Sequence, residues 1–392
     1  MSKFNKVNIR IGLVQGFYWM ASCVFVSFLV RLLAGFGYSD YECGIALSVS
    51  AFATLIVQPL IGKIADYTGK VSFLIVCCFV ISSFSSVLLL PFHGNRILTY
   101  ILIFIIFGSF RSLIYIIDLW SYGVGDKAEN FSYGFTRSFG AIFYALSAPF
   151  YGSAIDNFGT GIIIPCFIVM SLISAFMVVI VPKTEITKKE KSKTRLQDAI
   201  KQLLNNKNYV ILLISYTLIE MSAIPEQNYL TRKYEILGSG ELYTGISLLI
   251  MGLLQLPALN NIDKISAKVR SIVLIWISLF GLLLRNLILG FSKTAIGTVC
   301  SYLTEPFAFG LYIGAIMLYM HEYLHPEIIY FGTTLYSAIT SGLGGIVGNY
   351  IAGVLSQNYG ILSMMRFMTI PAILGFVLFS LFLSKRFLQK SR

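Results

Sequence analysis

Charged side chains occur inside several long apolar stretches of this chain. A charge in an apolar helix is costly, so we interpret such residues as candidates for binding a polar solute or an ion. Opposite charges on separate helices can offset that cost by pairing. The alternative is that some of them, Arg111 and Glu220 above all, only hold helices together or lie near a membrane interface. The residues concerned are Arg111, Asp118, Arg137, Glu220, Glu226, Arg285 and Glu305.

Two kinds of chemistry are open to these groups. A carboxyl in an apolar helix can hold a proton until its surroundings change, and Glu305 is such a group. Arg285 is the cation that can approach Glu305 and discharge it. An arginine with a carboxylate also supplies the donors and acceptors that sugar hydroxyls need, and an aromatic ring can cover the apolar face of a sugar.

Composition indicates the elements that carry these side chains. Hydrophobic residues make up 56% of the 392 residues and charged residues only 12%, about half the charged share of an average soluble domain. Too few charges remain to cover a water-facing surface, so we expect a surface that faces lipid. Apolar stretches of about 20 residues predict membrane-spanning helices. The sequence therefore predicts an all-α membrane protein with twelve spans, at 11–34, 43–64, 71–91, 97–120, 134–155, 160–182, 208–231, 242–262, 270–291, 295–320, 329–355 and 359–384.

One long polar segment separates these stretches into two sets of six. Residues 183–207 are rich in lysine and arginine, and we interpret them as a basic cytoplasmic linker rather than a nucleic-acid-binding segment. The predicted domains are a six-helix bundle at 1–182, this linker, and a second six-helix bundle at 208–392. Both ends of the chain are also basic, which predicts cytoplasmic termini for a multi-pass protein of the cell membrane.

A weak internal repeat relates the two sets of helices. Asn157 and Gly159 close the fifth stretch, and Asn358 and Gly360 close the eleventh at a constant offset of 201 positions. Parallel repeats related by an axis along the membrane normal are typical of one large group of transporters.

The loop after the second stretch carries a third pattern, formed by Gly62, Asp66, Gly69 and Lys70. An aspartate at a helix end can grip the terminus of a neighbouring helix in one conformer and release it in another. The alternative interpretation is a capped turn without a conformational role.

This loop resembles the signature loop of the major facilitator superfamily, although Tyr67 stands where a basic residue is usual. Within that superfamily the chain is similar to the lactose permease group of oligosaccharide:proton symporters. The similarity includes the segment from Gln58 to Gly62 and the segment 130–146, and it covers most of the chain. The resemblance implies the major facilitator fold, with two six-helix bundles that rock around a site near the middle of the membrane.

The resemblance also implies a substrate site. Arg137 would bind sugar hydroxyls with Asp118 as its acidic partner, if one inserted residue is allowed. Tyr144 would stack on the sugar ring, in a position where the group usually has tryptophan. Glu226 matches the acid of the seventh span.

The same resemblance implies a proton-coupling site. Arg285 and Glu305 match its arginine and glutamate, and Tyr302 falls near its histidine. Two further family positions differ in this chain. The substrate-binding glutamate of span eight falls near Gly252, and the lysine of span eleven falls near Ser341. The proton-handling residues are therefore better kept than those that recognise galactosides.

These observations predict a transporter rather than an enzyme. The expected function is proton-coupled symport of a sugar, an oligosaccharide or a nucleoside-like polar solute by alternating access. An exporter of amphipathic compounds on the same fold is the main alternative, and a receptor-like or structural membrane protein is another. No cofactor is expected besides the coupling proton, and no metal, because the three histidines lack a common ligand spacing. The expected partners are a small polar solute, the proton and the lipid bilayer, without nucleic acid, and the functional unit is expected to be a monomer.

Overall fold

The computed structural model describes residues 6–125, 131–181, 196–325 and 328–390, and in these residues it contains helices and no strands. The helices of the first half are α1 (Lys6–Val26), α2 (Leu29–Gly35), α3 (Asp40–Thr68), α4 (Val71–Phe92), α5 (Arg96–Gly125), α6 (Tyr133–Phe158) and α7 (Ile163–Ile180). Those of the second half are α8 (Leu196–Asn205), α9 (Lys207–Asn228), α10 (Leu230–Ile236), α11 (Glu241–Asn260), α12 (Ile262–Ser266), α13 (Ser271–Phe291), α14 (Ala295–Cys300), α15 (Phe309–Tyr323), α16 (Ile329–Ser337), α17 (Gly344–Tyr359) and α18 (Ile361–Lys390).

Eleven stretches of the described residues are long and apolar enough to cross a membrane. The predicted fifth span corresponds to α6, whose 26 residues are long enough but whose hydropathy is below that of the other eleven. The all-α membrane fold predicted from composition is therefore confirmed. Of the predicted linker, residues 183–195 lie outside the described part of the chain. Helix α8 follows them, with Ala199 and Leu203 buried and Lys201 exposed.

Two spans of the second half are interrupted where the sequence predicts continuous helices. The stretch Ala295–Tyr323 contains a 3₁₀ turn at Ser301–Thr304 between α14 and α15. The stretch Phe331–Tyr359 contains a π-helical segment at Ala338–Leu343 between α16 and α17. Irregular backbone in a membrane segment has to satisfy its polar groups inside the protein, and such breaks often mark functional positions.

Contacts within the chain define two units. The first unit contains Met1–Glu190 together with Ser239–Gly252, and the second contains Lys191–Gly238 together with Leu253–Arg392. Helix α11 therefore begins in the first unit and continues in the second.

In the first unit, α1 and α6 approach closely at two glycines of α1. The ring of Phe139 comes within 2.9 Å of the position that a Cβ on Gly12 would occupy, and the ring of Phe143 comes within 2.7 Å of the corresponding position on Gly16. Both contacts are too close for any side chain larger than hydrogen. Small residues of this kind allow helices to pack at short distance in a bilayer.

Also in the first unit, the end of α6 holds the beginning of α11. Asp156 Oδ1 accepts a hydrogen bond from the Glu241 backbone N–H at 2.7 Å, and its Oδ2 accepts one from Leu242 N–H at 3.0 Å. A carboxylate is favourable at this position because the first-turn amides of a helix are unpaired and carry a partial positive charge. Arg31 of α2 adds an ion pair, with its Nε 3.2 Å from Glu241 Oε1.

The repeated glycines end their helices in the same way. Gly159 follows α6 with φ 78° and ψ 179°, and Gly360 follows α17 with φ 79° and ψ 161°. Each glycine N–H donates to the carbonyl four residues earlier, at Ile155 and Ser356, over 2.9 Å. A positive φ strongly favours glycine. The sequence repeat at an offset of 201 therefore corresponds to two matching helix ends.

In the second unit, α9 packs against α17 and α18 at glycines. Gly348 of α17 and Gly375 of α18 each lie against a backbone carbonyl of α9, with no room for a Cβ. Gly281 of α13 is similarly close to the backbone of Ala308, where a Cβ would lie 2.7 Å from its nitrogen. This last contact brings the irregular segment 301–308 directly against α13.

We predict that Asp156→Ala destabilises the protein modestly. The substitution removes both acceptors at the start of α11, and loss of such a cap costs about 1 kcal/mol, which corresponds to a fall in melting temperature of about 2 °C. The control is Asn157→Ala, because the Asn157 amide bonds only within α6. Equal melting temperatures for both variants and the unsubstituted protein would show that α11 does not depend on Asp156.

Candidate functional site

In the first unit, Asp118 of α5 receives polar groups from α1 and α6. Gln15 Nε2 donates to Asp118 Oδ1 at 2.7 Å, and Arg137 Nε lies 3.9 Å from the same oxygen. The side chains of Arg137 and Asp118 retain 33% and 24% of their accessible surface. The structure thus brings together the arginine and the acid that the sequence pairs, and leaves both partly accessible.

Aromatic side chains fix the position of Arg137. Its guanidinium carbon lies 4.6 Å from the centroid of the Trp19 ring, which is the geometry of a cation–π interaction. Gly140 of α6 makes this contact possible, because a Cβ there would meet the Trp19 ring and lie 2.9 Å from Arg137 Nη1. Tyr144 meets Trp19 edge-to-face at 6.0 Å, and its hydroxyl is 2.9 Å from Ser27 Oγ. We call Gln15, Trp19, Asp118, Arg137 and Tyr144 the first-unit cluster.

In the second unit, the predicted proton-handling pair is in direct contact. Arg285 Nη1 donates to Glu305 Oε1 at 2.6 Å, with side-chain exposures of 7% and 0%. Glu305 directly follows the 3₁₀ turn Ser301–Thr304, and its backbone N–H donates to Tyr302 O at 3.1 Å. Tyr302 is buried and interacts electrostatically with Arg285. Glu305 Oε2 has no hydrogen-bond partner among the described residues.

A second buried acid lies beside this pair. Glu226 of α9 is fully buried, and Arg285 and Lys233 both act on it electrostatically. Asn286, the neighbour of Arg285 on α13, donates to Glu226 Oε2 at 3.0 Å in the amide orientation that pairs both of its polar atoms. Glu226 Oε1 has no hydrogen-bond partner in the described part of the chain. We call Glu220, Glu226, Arg285, Asn286 and Glu305 the second-unit cluster.

Lys233 is a buried cation that follows the spanning part of α9. It lies on α10, and its Nζ donates to the backbone oxygen of Leu289. Burial lowers the pKa of Lys233 to about 8, because the charged ammonium loses its hydration. The nearby Glu226 carboxylate opposes that shift.

The residues with the superfamily pattern do not all lie in a loop, although the sequence predicts one: Gly62 and Asp66 belong to the last turns of α3, and only Gly69 and Lys70 lie between α3 and α4. Gly69 ends α3 with a φ of 66°, and its N–H donates to Ala65 O at 2.9 Å, so this position favours glycine. Lys70 is exposed and precedes α4, whereas a Cβ on Gly62 would meet no neighbouring atom. The side chain of Asp66 lies outside the described residues.

The structure describes the surroundings of two positions, Gly252 and Ser341, at which the chain differs from the lactose permease group. A Cβ on Gly252 would lie 2.8 Å from Ala145 Cβ, so this part of α11 packs on α6 and has no room for a glutamate. Ser341 is exposed and lies in the π-helical segment Ala338–Leu343. Neither Gly252 nor Ser341 belongs to either of the clusters described above.

Several polar residues of the clusters are not anticipated from the sequence. Gln15 and Trp19 lie four positions apart on α1, a spacing that places both on one helix face, and this signal could have been used. Asn286 directly follows Arg285, but an amide beside a charged residue is too common a pattern to be informative. Lys233 and Arg31 lie near the ends of predicted helices, where a charged side chain is normally interpreted as extending to the membrane interface.

Comparisons with known proteins agree with this architecture. The chain is 22% identical to the uncharacterized transporter YwbF of Bacillus subtilis (strain 168), over 88% of this chain and 86% of that one. It is also 22% identical to the maltose permease of Geobacillus stearothermophilus, over 89% and 87%. The crystal structure of the nucleoside transporter NupG superposes with a TM-score of 0.81 at 15% identity, covering 97% of this chain and 99% of that one. A variant of the E. coli fucose:proton symporter FucP gives 0.61 at 13% identity, covering 96% and 99%.

A match to a family model and the two transporter relatives show that the chain is a transporter of the major facilitator superfamily and not an enzyme. Residues 9–367 match the model of the MFS_1-like family, and the chain belongs to that family. The narrower likeness to the lactose permease group remains a resemblance.

We predict that Arg285→Met destabilises the protein strongly, because it leaves the Glu305 carboxylate buried without its cation. Removing one partner of a buried pair costs about 3–5 kcal/mol. The double variant with Arg285→Met and Glu305→Gln should recover part of this loss. Arg232→Met is the matched control, because its pair with Glu235 is exposed, and such pairs contribute about 0–1 kcal/mol.

Thermal unfolding of the purified variants measures these differences. If Arg285→Met and Arg232→Met lower the melting temperature equally, the buried pair does not stabilise the second unit as described.

Proposed function

We propose that the protein is a proton-coupled symporter that carries a sugar, an oligosaccharide or a nucleoside-like polar solute by alternating access. The observation that carries this proposal is the buried Arg285–Glu305 pair, in which Glu305 Oε2 has no hydrogen-bond partner among the described residues. A buried carboxylate with one free oxygen can accept a proton there. The neighbouring arginine then loses its counter-charge and can turn to another acid.

The second-unit cluster supplies that other acid. Arg285 already acts electrostatically on Glu226, and no described residue forms a hydrogen bond with Glu226 Oε1. Protonation of Glu305 forms one O–H bond and breaks the ion pair with Arg285. Arg285 can then pair with the Glu226 carboxylate, whose charge Lys233 offsets while Arg285 is held by Glu305. Loss of the proton restores the original pair. Tyr302, which is buried and interacts electrostatically with Arg285, is proposed as a third member of this proton-coupling site.

The first-unit cluster supplies the solute site in this proposal. Arg137 offers several N–H donors in a planar fork, and Asp118 offers acceptors beside it. Trp19 and Tyr144 offer apolar ring faces next to these polar groups. A sugar or a nucleoside presents the same combination of hydroxyls and an apolar face. Glu226, within the second unit, is separately proposed as a solute-binding residue.

The names of similar proteins support this class of solute. The maltose permease carries a sugar by its name, NupG is a nucleoside transporter, and FucP is a fucose:proton symporter. All of these solutes are polar and bear several hydroxyl groups. The last name also includes a proton as the coupling ion.

We also propose the topology and the assembly. The basic linker and basic termini favour an orientation with both ends in the cytoplasm and the bilayer of the cell membrane as the site of action. The two predicted bundles, at 1–182 and 208–392, would be the bodies that move, and the segment with Gly62, Asp66 and Gly69 would hold one conformer. A monomer is sufficient, because both clusters lie in one chain.

We predict that Glu305→Gln abolishes accumulation against a gradient but keeps exchange of solute across the membrane. Glutamine cannot lose a proton, so the variant stays in the protonated-like state. The measurement is uptake of labelled sugars and nucleosides into energised membrane vesicles, with and without a protonophore. Glu235→Gln, at an exposed position of α10, is the control and should accumulate solute normally. Undiminished, protonophore-sensitive accumulation by Glu305→Gln would contradict the proposal.

We predict that Arg137→Gln weakens solute binding about 10- to 100-fold, because hydrogen bonds from a charged donor are worth about 1.5–3 kcal/mol. The measurement is the ligand-induced rise in melting temperature across a panel of sugars and nucleosides. Arg96→Gln is the control, because Arg96 begins α5, whereas Asp118 lies near the end of that helix, and Arg96 pairs with Glu42. If a ligand raises the melting temperatures of Arg137→Gln and of the unsubstituted protein equally at the same ligand concentrations, Arg137 does not bind the solute and the proposed site is wrong.

A further inference from the structure

Three buried tyrosines from three helices stack in the second unit. Tyr216 of α9, Tyr312 of α15 and Tyr336 of α16 are all buried. The rings of Tyr216 and Tyr312 lie 4.1 Å apart and are inclined by only 9°, and those of Tyr216 and Tyr336 lie 5.8 Å apart at 21°. The three rings therefore form one nearly parallel stack that joins three helices.

The hydroxyls of these tyrosines form a hydrogen-bonded row that ends on an acid. The hydroxyls of Tyr312 and Tyr336 are hydrogen-bonded to each other. Tyr216 is hydrogen-bonded to Tyr312 and also to Glu220, one helical turn further along α9. We call Tyr216, Tyr312 and Tyr336 the tyrosine chain, with Glu220 at its end.

The groups around Glu220 make it different from the other buried acids. Tyr216 faces it from its own helix, Arg285 acts on it from α13, and Tyr312 and Tyr336 act on it from α15 and α16. Helix α17 contributes only Gly344, whose Cβ position is 3.3 Å from Glu220 Cβ.

The described side chains of helix α18, which also packs against α9, bring no charge to Glu220. Helix α18 approaches α9 through Gly375, which lies against Ser215, Leu218 and Ile219. Glu220 therefore has neutral hydroxyl partners, whereas the one nearby cation among the described residues, Arg285, donates to Glu305.

A tyrosine hydroxyl can donate one hydrogen bond and accept others, so it suits both forms of a carboxyl group. When Glu220 is ionised, each hydroxyl of the row can donate towards it. When Glu220 is protonated, it can donate to Tyr216, and the hydroxyls can rotate to donate in the opposite direction. No O–H bond of a tyrosine has to break in this change. Only the proton that binds the carboxylate is gained or lost.

We propose that Glu220 is a second proton-binding site of the transporter, distinct from Glu305, and that the tyrosine chain positions it by reversing its hydrogen bonds when the proton binds. This proposal rests on the proposed proton coupling for its role in transport. The proton binding itself is a property of the protein without solute.

Infrared difference spectroscopy of the purified protein in lipid vesicles tests the proton site directly. Spectra recorded between about pH 4 and pH 9 show the carbonyl band of protonated carboxyl groups, and this range brackets ordinary carboxyl and histidine titrations. We expect Glu220→Gln to remove one titrating component of this band. An unchanged band in Glu220→Gln would overturn the proposal, because Glu220 would then keep one protonation state throughout.

Tyrosine variants test the chain. Tyr216→Phe removes the direct donor to ionised Glu220, so the titration of the Glu220 component should move to higher pH by about one pH unit. Tyr312→Phe keeps the stack but interrupts the row, and it should move the component in the same direction by a smaller amount. Tyr209→Phe is the matched control, because Tyr209 is buried in the same core but its hydroxyl donates to Gly332 O at 2.9 Å.

The outcomes separate the two proposals. Equal titrations in Tyr216→Phe, Tyr312→Phe and Tyr209→Phe would refute the positioning role of the chain, even if Glu220 binds a proton. A normal Glu220 titration combined with solute accumulation that ignores a protonophore would refute the symport proposal and leave the proton site in place. If Glu220→Gln does not fold, Tyr216→Phe still provides the test.

Discussion

The buried ion pair between Arg285 and Glu305 is the constraint on which the second unit depends. Two full charges in an apolar interior are costly, and their attraction offsets the cost only when the geometry is close. The structure achieves that geometry by interrupting a spanning helix at Ser301–Thr304, which places Glu305 directly after a turn. Gly281 on α13 lets this segment approach closely. The irregular backbone and the glycine together allow the pair to form.

The two units use the same architectural features for different chemistry. Matching glycine-capped helix ends at Gly159 and Gly360 reflect the repeat. In the first unit, however, the arginine and the acid stay partly accessible beside aromatic rings, as expected of groups that meet a solute. In the second unit the arginine and its acids are buried, as the proposed proton coupling at Glu305 requires. In this proposal the two units therefore carry two different kinds of site.

Much of this arrangement follows from the sequence. Hydropathy was sufficient to predict the all-α membrane fold. A chain that spans lipid needs long apolar helices, because their backbone groups form hydrogen bonds within the helix. Placement of Arg285 and Glu305 on adjacent spans was sufficient to anticipate a pair. Among the predicted spans in the described residues, α6 alone has a mean hydropathy too low to be recognised as a membrane span. Its glycine, serine and charged residues, which serve helix packing and the Arg137 site, lower its apolar content.

Other features are decided by tertiary contacts that no local pattern encodes. The capping of α11 by Asp156 joins residues 85 positions apart, and the tyrosine chain joins three helices. Tyrosines spread over an apolar sequence are more often packing residues, so their hydroxyl contacts appear only in the folded chain. The break in the helix before Glu305 is also invisible in the sequence, since Glu305-Pro306 permits a helix start as well as an interruption.

The central claim is that solute and proton cross the membrane together. The most direct measurement is the external pH of a weakly buffered suspension of de-energised vesicles that contain the purified protein, after addition of a solute that binds. Symport predicts an immediate rise in external pH as protons enter with the solute, and a protonophore should abolish this rise. Entry of the solute without any change in external pH would contradict the account.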